Sequence, residues 1–243
     1  MRIILIVPLL FCSVILSAQK PAYLFRGFGE EMDTKKLSKW TAKKPQDYNG
    51  IYHFGESEGE WDLIIIVSDT SVIIQAHRSH WGINNQTQKE DWLGEWENYA
   101  NAKLAGNGFI SDGTWGYFMT YKWEDGPENG IMLLTGNNKL DSAEFGYKTK
   151  QSFKDYFDGD YPELSYKVMD DAYYMTKSKD QLQMMRNEIF ARYGMIFAKN
   201  GKAYNHFVKE TWYRPWKKDV GACLTPIEQK NLEKIKAFES KQQ

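Results

Sequence analysis

Apolar and polar positions follow two different periods along this chain, and the change between them divides it. From Tyr48 to about Lys150 the period is that of strands. Gly50-Ile51-Tyr52-His53-Phe54 predicts a short strand closed by Gly55. Trp61 to Val67 and Ser71 to His77 are nearly continuous apolar runs, and the turn chemistry of Ser68-Asp69-Thr70 joins them as a hairpin. Residues 82 to 91 are polar and predict a loop. Trp96 to Leu104 alternates imperfectly before the turn signal Gly106-Asn107-Gly108. Tyr117, Met119, Tyr121 and Trp123 fall on one face of a further strand. Asp125-Gly126-Pro127 then turns the chain into a strand over Ile131 to Thr135, and Phe145 to Lys148 predicts a last one. About seven short strands joined by turns predict an antiparallel β domain over residues 47–150, a barrel or a sandwich.

Residues 151–171 carry Asp155, Asp158, Gly159, Asp160 and Pro162 and read as a linker. From Ser178 the period becomes helical. Ser178 with Gln181 forms a capping box, and Leu182, Met185, Ile189 and Tyr193 recur as one stripe. Gly194 is placed to end that helix in a left-handed turn. A second helix is expected over Lys202 to Glu210, ended by Trp212-Tyr213-Arg214-Pro215-Trp216. Thr225-Pro226-Ile227-Glu228 starts a third, with Ile227, Asn231, Ile235 and Phe238 along one side. The expected fold class is α+β, with a small three-helix domain over residues 172–240 following the β domain as a separate body. Residues 19–46 form a lead-in, with a short helix predicted around Asp33 to Trp40.

Arg186-Asn187-Glu188-Ile189-Phe190-Ala191-Arg192-Tyr193-Gly194-Met195-Ile196-Phe197 resembles the signature of the YARHG domain. Tyr204-Asn205-His206-Phe207, Trp212-Tyr213-Arg214-Pro215 and the block from Leu224 to Asn231 are similar to the same family in order and spacing. Phe190 stands where the signature has Tyr and Tyr193 where it has His, so any role of the family histidine is missing here. The resemblance implies an extracytoplasmic bacterial domain associated with the cell envelope and no known catalytic activity.

The start of the chain agrees with export. Arg2 is followed by a mostly apolar run from Ile3 to Leu16, and Ser17-Ala18 offers a cleavage site. A spanning helix needs about 20 apolar residues, so residues 1–18 are expected to be a removable signal peptide that leaves no transmembrane anchor. Phe11 before Cys12 is too bulky for lipid attachment. After cleavage Cys223 is the one remaining cysteine, which excludes an internal disulfide. The mature net charge of −2 carries no basic footprint of a nucleic-acid binder. The aromatic share of 15%, with nine Trp and fifteen Tyr, suits sheet cores and surfaces that bind sugars or proteins.

Candidate chemistry is sparse. Arg186, Asn187, Glu188 and Arg192 cluster on one helix, and read either as a lock between helix and loops or as two arginines holding an anionic or peptide ligand. His77 and His80 have an odd spacing, which sends them to opposite faces of a strand and argues against a metal pair. Glu58 with Glu60, or Glu95 with Glu97, are the acidic pairs that a glycan hydrolase or lyase would draw on, but such enzymes need carboxyls facing each other across a sugar. Trp81 and Trp92 flank the predicted polar loop and are the aromatic side chains expected to be exposed as a platform. The expected site is therefore Trp81, Trp92, Arg186 and Arg192, with no catalytic residue, metal or cofactor. The expected protein is periplasmic or secreted, a non-catalytic binding module for peptidoglycan or an envelope protein. A glycan hydrolase or lyase and a purely structural accessory protein are the alternatives.

Overall fold

A computed structural model of the protein describes residues 21–27, 29–68, 71–134 and 142–242. The expected leader, its cleavage point after Ala18 and Cys12 lie outside the described residues. The strands, in chain order, are β1 (Tyr23–Arg26), β2 (Glu30–Glu31), β3 (Leu37–Lys39), β4 (Gly50–Phe54), β5 (Trp61–Val67) and β6 (Val72–Asn84). They continue as β7 (Lys89–Tyr99), β8 (Lys103–Ala105), β9 (Gly108–Ile110), β10 (Trp115–Lys122), β11 (Pro127–Leu134) and β12 (Ser142–Lys148). The helices are α1 (Phe153–Tyr156), α2 (Glu163–Tyr166), α3 (Asp171–Met175), α4 (Lys179–Arg192), α5 (Lys202–Phe207) and α6 (Pro226–Lys241).

The fold is α+β, a large antiparallel sheet followed by helices, as the periodicity predicts. The sheet runs β7-β6-β5-β4-β12-β11-β10-β9-β8, and β1 joins it in parallel, against β12. It is not a closed barrel, because β7 and β8 end the path without pairing to each other. It nevertheless curls, since Ile74 and Ala76 of β6 enter the same buried cluster as Phe109 of β9 and Phe118 of β10. Five strands beyond the seven predicted are short pieces in polar or glycine-rich stretches, where alternation has too few residues to show.

The inner and outer faces of the sheet are both covered at β5, which is why Trp61 to Val67 reads as one apolar run rather than alternating. Leu63, Ile65 and Val67 point into the curl. Ile64 and Ile66 point outward, against Phe157 and Ile227 of the helical half. The expectation of two separate bodies thus meets a buried cluster to which both halves contribute. On the far side Leu24, Met32 and Leu37 of the lead-in cover Tyr117, Met119 and Tyr121 of β10. The helix expected at Asp33 to Trp40 is instead one turn, Thr34–Lys36, capped by Asp33 and followed by β3. Strand parity then separates Leu37 from Trp40, which join opposite faces of the sheet.

The helical half holds the three expected helices as α4, α5 and α6, together with the short α1, α2 and α3. Residues 151–171, expected as a linker, carry α1 and α2 and bury Phe157 and Leu164. Leu182, Met185, Ile189 and Tyr193 form the predicted stripe and are all buried in one core with Leu232 and Ile235 of α6. Both predicted capping boxes are present, at Ser178 with Gln181 and at Thr225 with Glu228. Among the described residues no helix is long and apolar enough to cross a membrane.

Candidate functional site

Residues 82 to 91 are not a polar loop. β6 and β7 extend into a long hairpin that turns only over residues 85–88, and Trp81 and Trp92 are direct cross-strand partners in it. Alternate residues of paired strands share a face, so Gln75, His77, Ser79 and Trp81 line up beside Asn98, Trp96, Gly94 and Trp92. This face meets the helical half, and its chemistry changes along its length. Gln75 Nε2 and Asn98 Nδ2 both donate to the carbonyl of Cys223, at 2.9 and 2.8 Å. His77 lies flat on Trp96, with centroids 3.8 Å apart and planes at 7°. Beyond them Ser79 and Gly94 are too small to fill the seam, and a cleft of about 230 Å³ opens over them.

The opposite wall comes from the end of α4 and from residues 212–216. Gly194, at φ +76°, turns the chain out of α4, and its carbonyl accepts from the N–H groups of Trp216 and Lys217, both at 2.9 Å. A Cβ here would sit 2.6 Å from Trp216 Cδ1 and 2.8 Å from the Arg214 carbonyl, so both the turn and the close approach require glycine. Trp216 Nε1 donates to the Gly94 carbonyl at 3.1 Å. Nearer the hairpin tip, Asn85 N–H donates to the Pro215 carbonyl at 2.7 Å and Arg214 Nε pairs with Asp91 at 2.9 Å. The cleft is therefore walled by Trp92, Trp96, Trp212 and Trp216, all half-buried.

Its charges are largely compensated. Arg192 is almost fully buried and paired to Glu188, with further bonds to the Asp158 carbonyl and, at 3.0 Å, to Ser165 Oγ. Glu188 also accepts the N–H groups of Asp160 and Tyr161, each at 2.8 Å. Burial raises the Glu188 carboxyl above its ordinary value, opposed first by Arg192. Gly159, at φ +107°, lets that loop wrap the carboxylate, since a Cβ there would lie 2.3 Å from Glu188 Cδ. Asp158 lines the cleft, raised by burial and pulled back by Arg192 and Arg214.

At the inner end of the cleft a relay of side chains stands behind His77. His77 Nδ1 lies 2.9 Å from the Tyr156 hydroxyl, which donates to Asp62 Oδ2 at 2.8 Å. His53 Nδ1 is 2.8 Å from Asp62 Oδ1. Burial pushes the His77 imidazole down to about 4, against an upward pull from Asp62.

Of the four expected site residues, Trp92 and Arg192 line this cleft. Trp81 is 60% exposed and stands edge-on to Trp92 at 5.2 Å, next to the cleft. Arg186 lies elsewhere: it binds Glu239 of α6 at 2.7 Å. Six residues along a helix place Arg186 and Arg192 roughly 120° apart, so they cannot clamp one ligand together. His77 and His80 do lie on opposite faces, and His80 meets Trp216 at 4.9 Å. Glu58, Glu60, Glu95 and Glu97 are exposed and line no part of the cleft. Trp212, Arg214, Trp216, Asp158 and His77 were not foreseen as one site. The available signal was the density of aromatic residues around Arg214.

The helical wall has a family of its own. Residues 159–240 match the YARHG domain. No curated protein and no solved structure matches the chain. The YARHG domain, a type typical of extracellular and periplasmic proteins, begins here at Gly159, ahead of residue 172. The earlier start takes in the loop that holds Glu188, together with α2, whose Ser165 bridges Arg192 to Glu228. The signature residues Glu188, Arg192 and Gly194 of this YARHG domain thus shape the cleft wall. Tyr193, in place of the family histidine, donates to Glu228 Oε2 at 2.7 Å and accepts from Gln75 at 3.2 Å, which joins the domain to the sheet.

Proposed function

We propose that this protein is an exported, non-catalytic binding module that holds cell-wall glycan in the cleft between its sheet and its YARHG domain. The observation that carries this reading is the set of four half-buried tryptophans, Trp92, Trp96, Trp212 and Trp216, around one open cleft, continued outward by exposed Trp81. Flat aromatic faces at an open cleft, those of Trp92, Trp212 and Trp216 since His77 covers Trp96, offer apolar area to the C–H faces of sugar rings while leaving the hydroxyls to polar neighbours. Arg214 and Asp158 supply those neighbours at the edge. A hydrolase would need two carboxyls placed across the sugar, and Glu58, Glu60, Glu95 and Glu97 stand away from this cleft, which Asp158 lines as its one carboxyl among the described residues.

The test is sedimentation of the purified chain with insoluble peptidoglycan. Retention, reduced by added soluble glycan strands, is the expected result. If the chain stays in solution at every peptidoglycan load, the reading is wrong. Release of soluble fragments during the assay would move the protein to the enzyme class.

A further inference from the structure

Behind the cleft-lining His77, the partners of Tyr156 fix the hydrogen-bonding sense of the imidazole. Tyr156 has a single hydroxyl proton, and burial keeps that phenol protonated well above its ordinary range. Its two partners are Asp62 Oδ2 at 2.8 Å and His77 Nδ1 at 2.9 Å. A carboxylate only accepts, so the hydroxyl proton goes to Asp62 and the hydroxyl oxygen must accept from His77 Nδ1–H. A neutral imidazole carries one N–H, so Nε2 is left with a bare lone pair. That nitrogen would lie 2.9 Å from a Cβ built on Gly94, on the floor of the cleft, and no protein donor reaches it among the described residues. The ring cannot swing to another rotamer without leaving Trp96, on which it lies flat at 3.8 Å.

We propose that His77 Nε2 is the specificity-determining acceptor of this cleft, and that it selects an uncharged glycan by accepting from a hydroxyl or acetamido N–H of the sugar. This rests on the glycan-binding reading above and narrows it. The charges around the cleft agree with an uncharged ligand. Arg192 and Arg214 are matched by Glu188, Asp91 and Asp158, so no net positive field remains to attract a carboxylated or phosphorylated chain. Burial that holds His77 well below its ordinary range keeps the imidazole neutral at the pH of the envelope. A protonated imidazole would present a second donor and reverse the selection.

The experiment uses the intact chain and two probes, a soluble oligomer of N-acetylglucosamine and polygalacturonate as an acidic glycan. Nitrogen-15 NMR of the His77 ring reads the tautomer directly. The expected result is a proton on Nδ1 and a bare Nε2 at neutral pH, with Nε2 alone shifting when the N-acetylglucosamine oligomer is added. His77→Phe keeps a flat ring over Trp96 and removes the acceptor. It is expected to weaken that oligomer about tenfold while chain stability at neutral pH and sedimentation of unfolded material stay unchanged. Tyr156→Phe frees the tautomer, and is expected to give a mixed ring signal with intermediate affinity. A proton on Nε2, an unmoved Nε2 signal on oligomer binding, or preference for polygalacturonate overturns the proposal. If peptidoglycan sediments the chain and His77→Phe binds the oligomer as tightly as before, this inference falls and the glycan-binding reading stands. If neither peptidoglycan nor the oligomer is bound, both fall.

Discussion

Gln75 of the sheet and Tyr193 of the YARHG domain share a buried hydrogen bond, Nε2 to hydroxyl at 3.2 Å, across 118 residues of sequence. The same hydroxyl donates to Glu228 Oε2, and Glu228 is fully buried with its other oxygen accepting from Ser165. The tyrosine hydroxyl therefore connects the sheet to the buried carboxylate that organises the start of α6. Burial raises the Glu228 carboxyl, and the donors from Ser165, Tyr193 and Thr225 oppose that rise.

Tyr193→Phe keeps the ring in the core and removes only this junction. It leaves a buried carboxylate short of one donor, which costs roughly 1–3 kcal/mol. Urea unfolding should show that loss. A change under 0.5 kcal/mol, about the scale of a neutral surface substitution, would mean that the junction contributes nothing.

Arg192→Met removes the partner of a buried carboxylate. Glu188 would keep the N–H groups of Asp160 and Tyr161 but lose its charge partner. Breaking such a pair costs roughly 3–5 kcal/mol, whereas Arg186→Met, at a partly exposed pair with Glu239, should cost about 1 kcal/mol or less. Thermal melts of the two variants side by side check the ranking. Equal losses would contradict it.

Trp81→Ala and Trp92→Ala separate platform from scaffold. Trp81 is 60% exposed, so its removal should leave the melting temperature nearly unchanged and reduce retention on peptidoglycan. Trp92 contributes a cleft wall, so its removal should weaken retention more, by tenfold or so, about 1.4 kcal/mol. Retention equal to the parent in both variants removes the tryptophans from the binding surface.

His77 gives stability a pH dependence of known sign. Its folded value of about 4 lies below the unfolded 6.5, so the unfolded chain binds the proton more readily. The contribution is complete above pH 6.5 and is lost as pH falls through the window down to 4. Its full size is roughly 3 kcal/mol. Glu188 and Glu228, raised by burial, act in the opposite sense. The observable is therefore the difference between parent and His77→Phe in chemical unfolding at pH 7 and pH 4. Equal to the parent at pH 7, the variant should be the more stable of the two at pH 4, and equal stability at both pH values would show that His77 does not titrate in this way.

Elements whose pattern is long and local are legible in the sequence. The Leu182–Tyr193 stripe, both capping boxes, the Gly194 turn and the face shared by Tyr117, Met119 and Tyr121 depend on neighbours within a few residues, and all are present. Short strands such as β3 and β8 were not legible, because three residues cannot express a period. The hairpin tip is illegible in the sequence for a related reason. Its residues are polar on both faces, and only the register that pairs Trp81 with Trp92 shows that strands continue there.

The chain by itself determined a sheet-forming half, a YARHG-like helical half and an aromatic, nearly neutral composition, since each follows from local periodicity, capping chemistry or counting. Tertiary structure alone decided the site. Ser79, Gly94, Arg192 and Trp216 come from stretches far apart in sequence, and nothing local to any of them encodes the gap that small side chains leave when a helical domain packs on a twisted sheet. The same holds for His77. Its residue type allows either tautomer, and the one it adopts is set by Tyr156 and Asp62, which only the packing brings within reach.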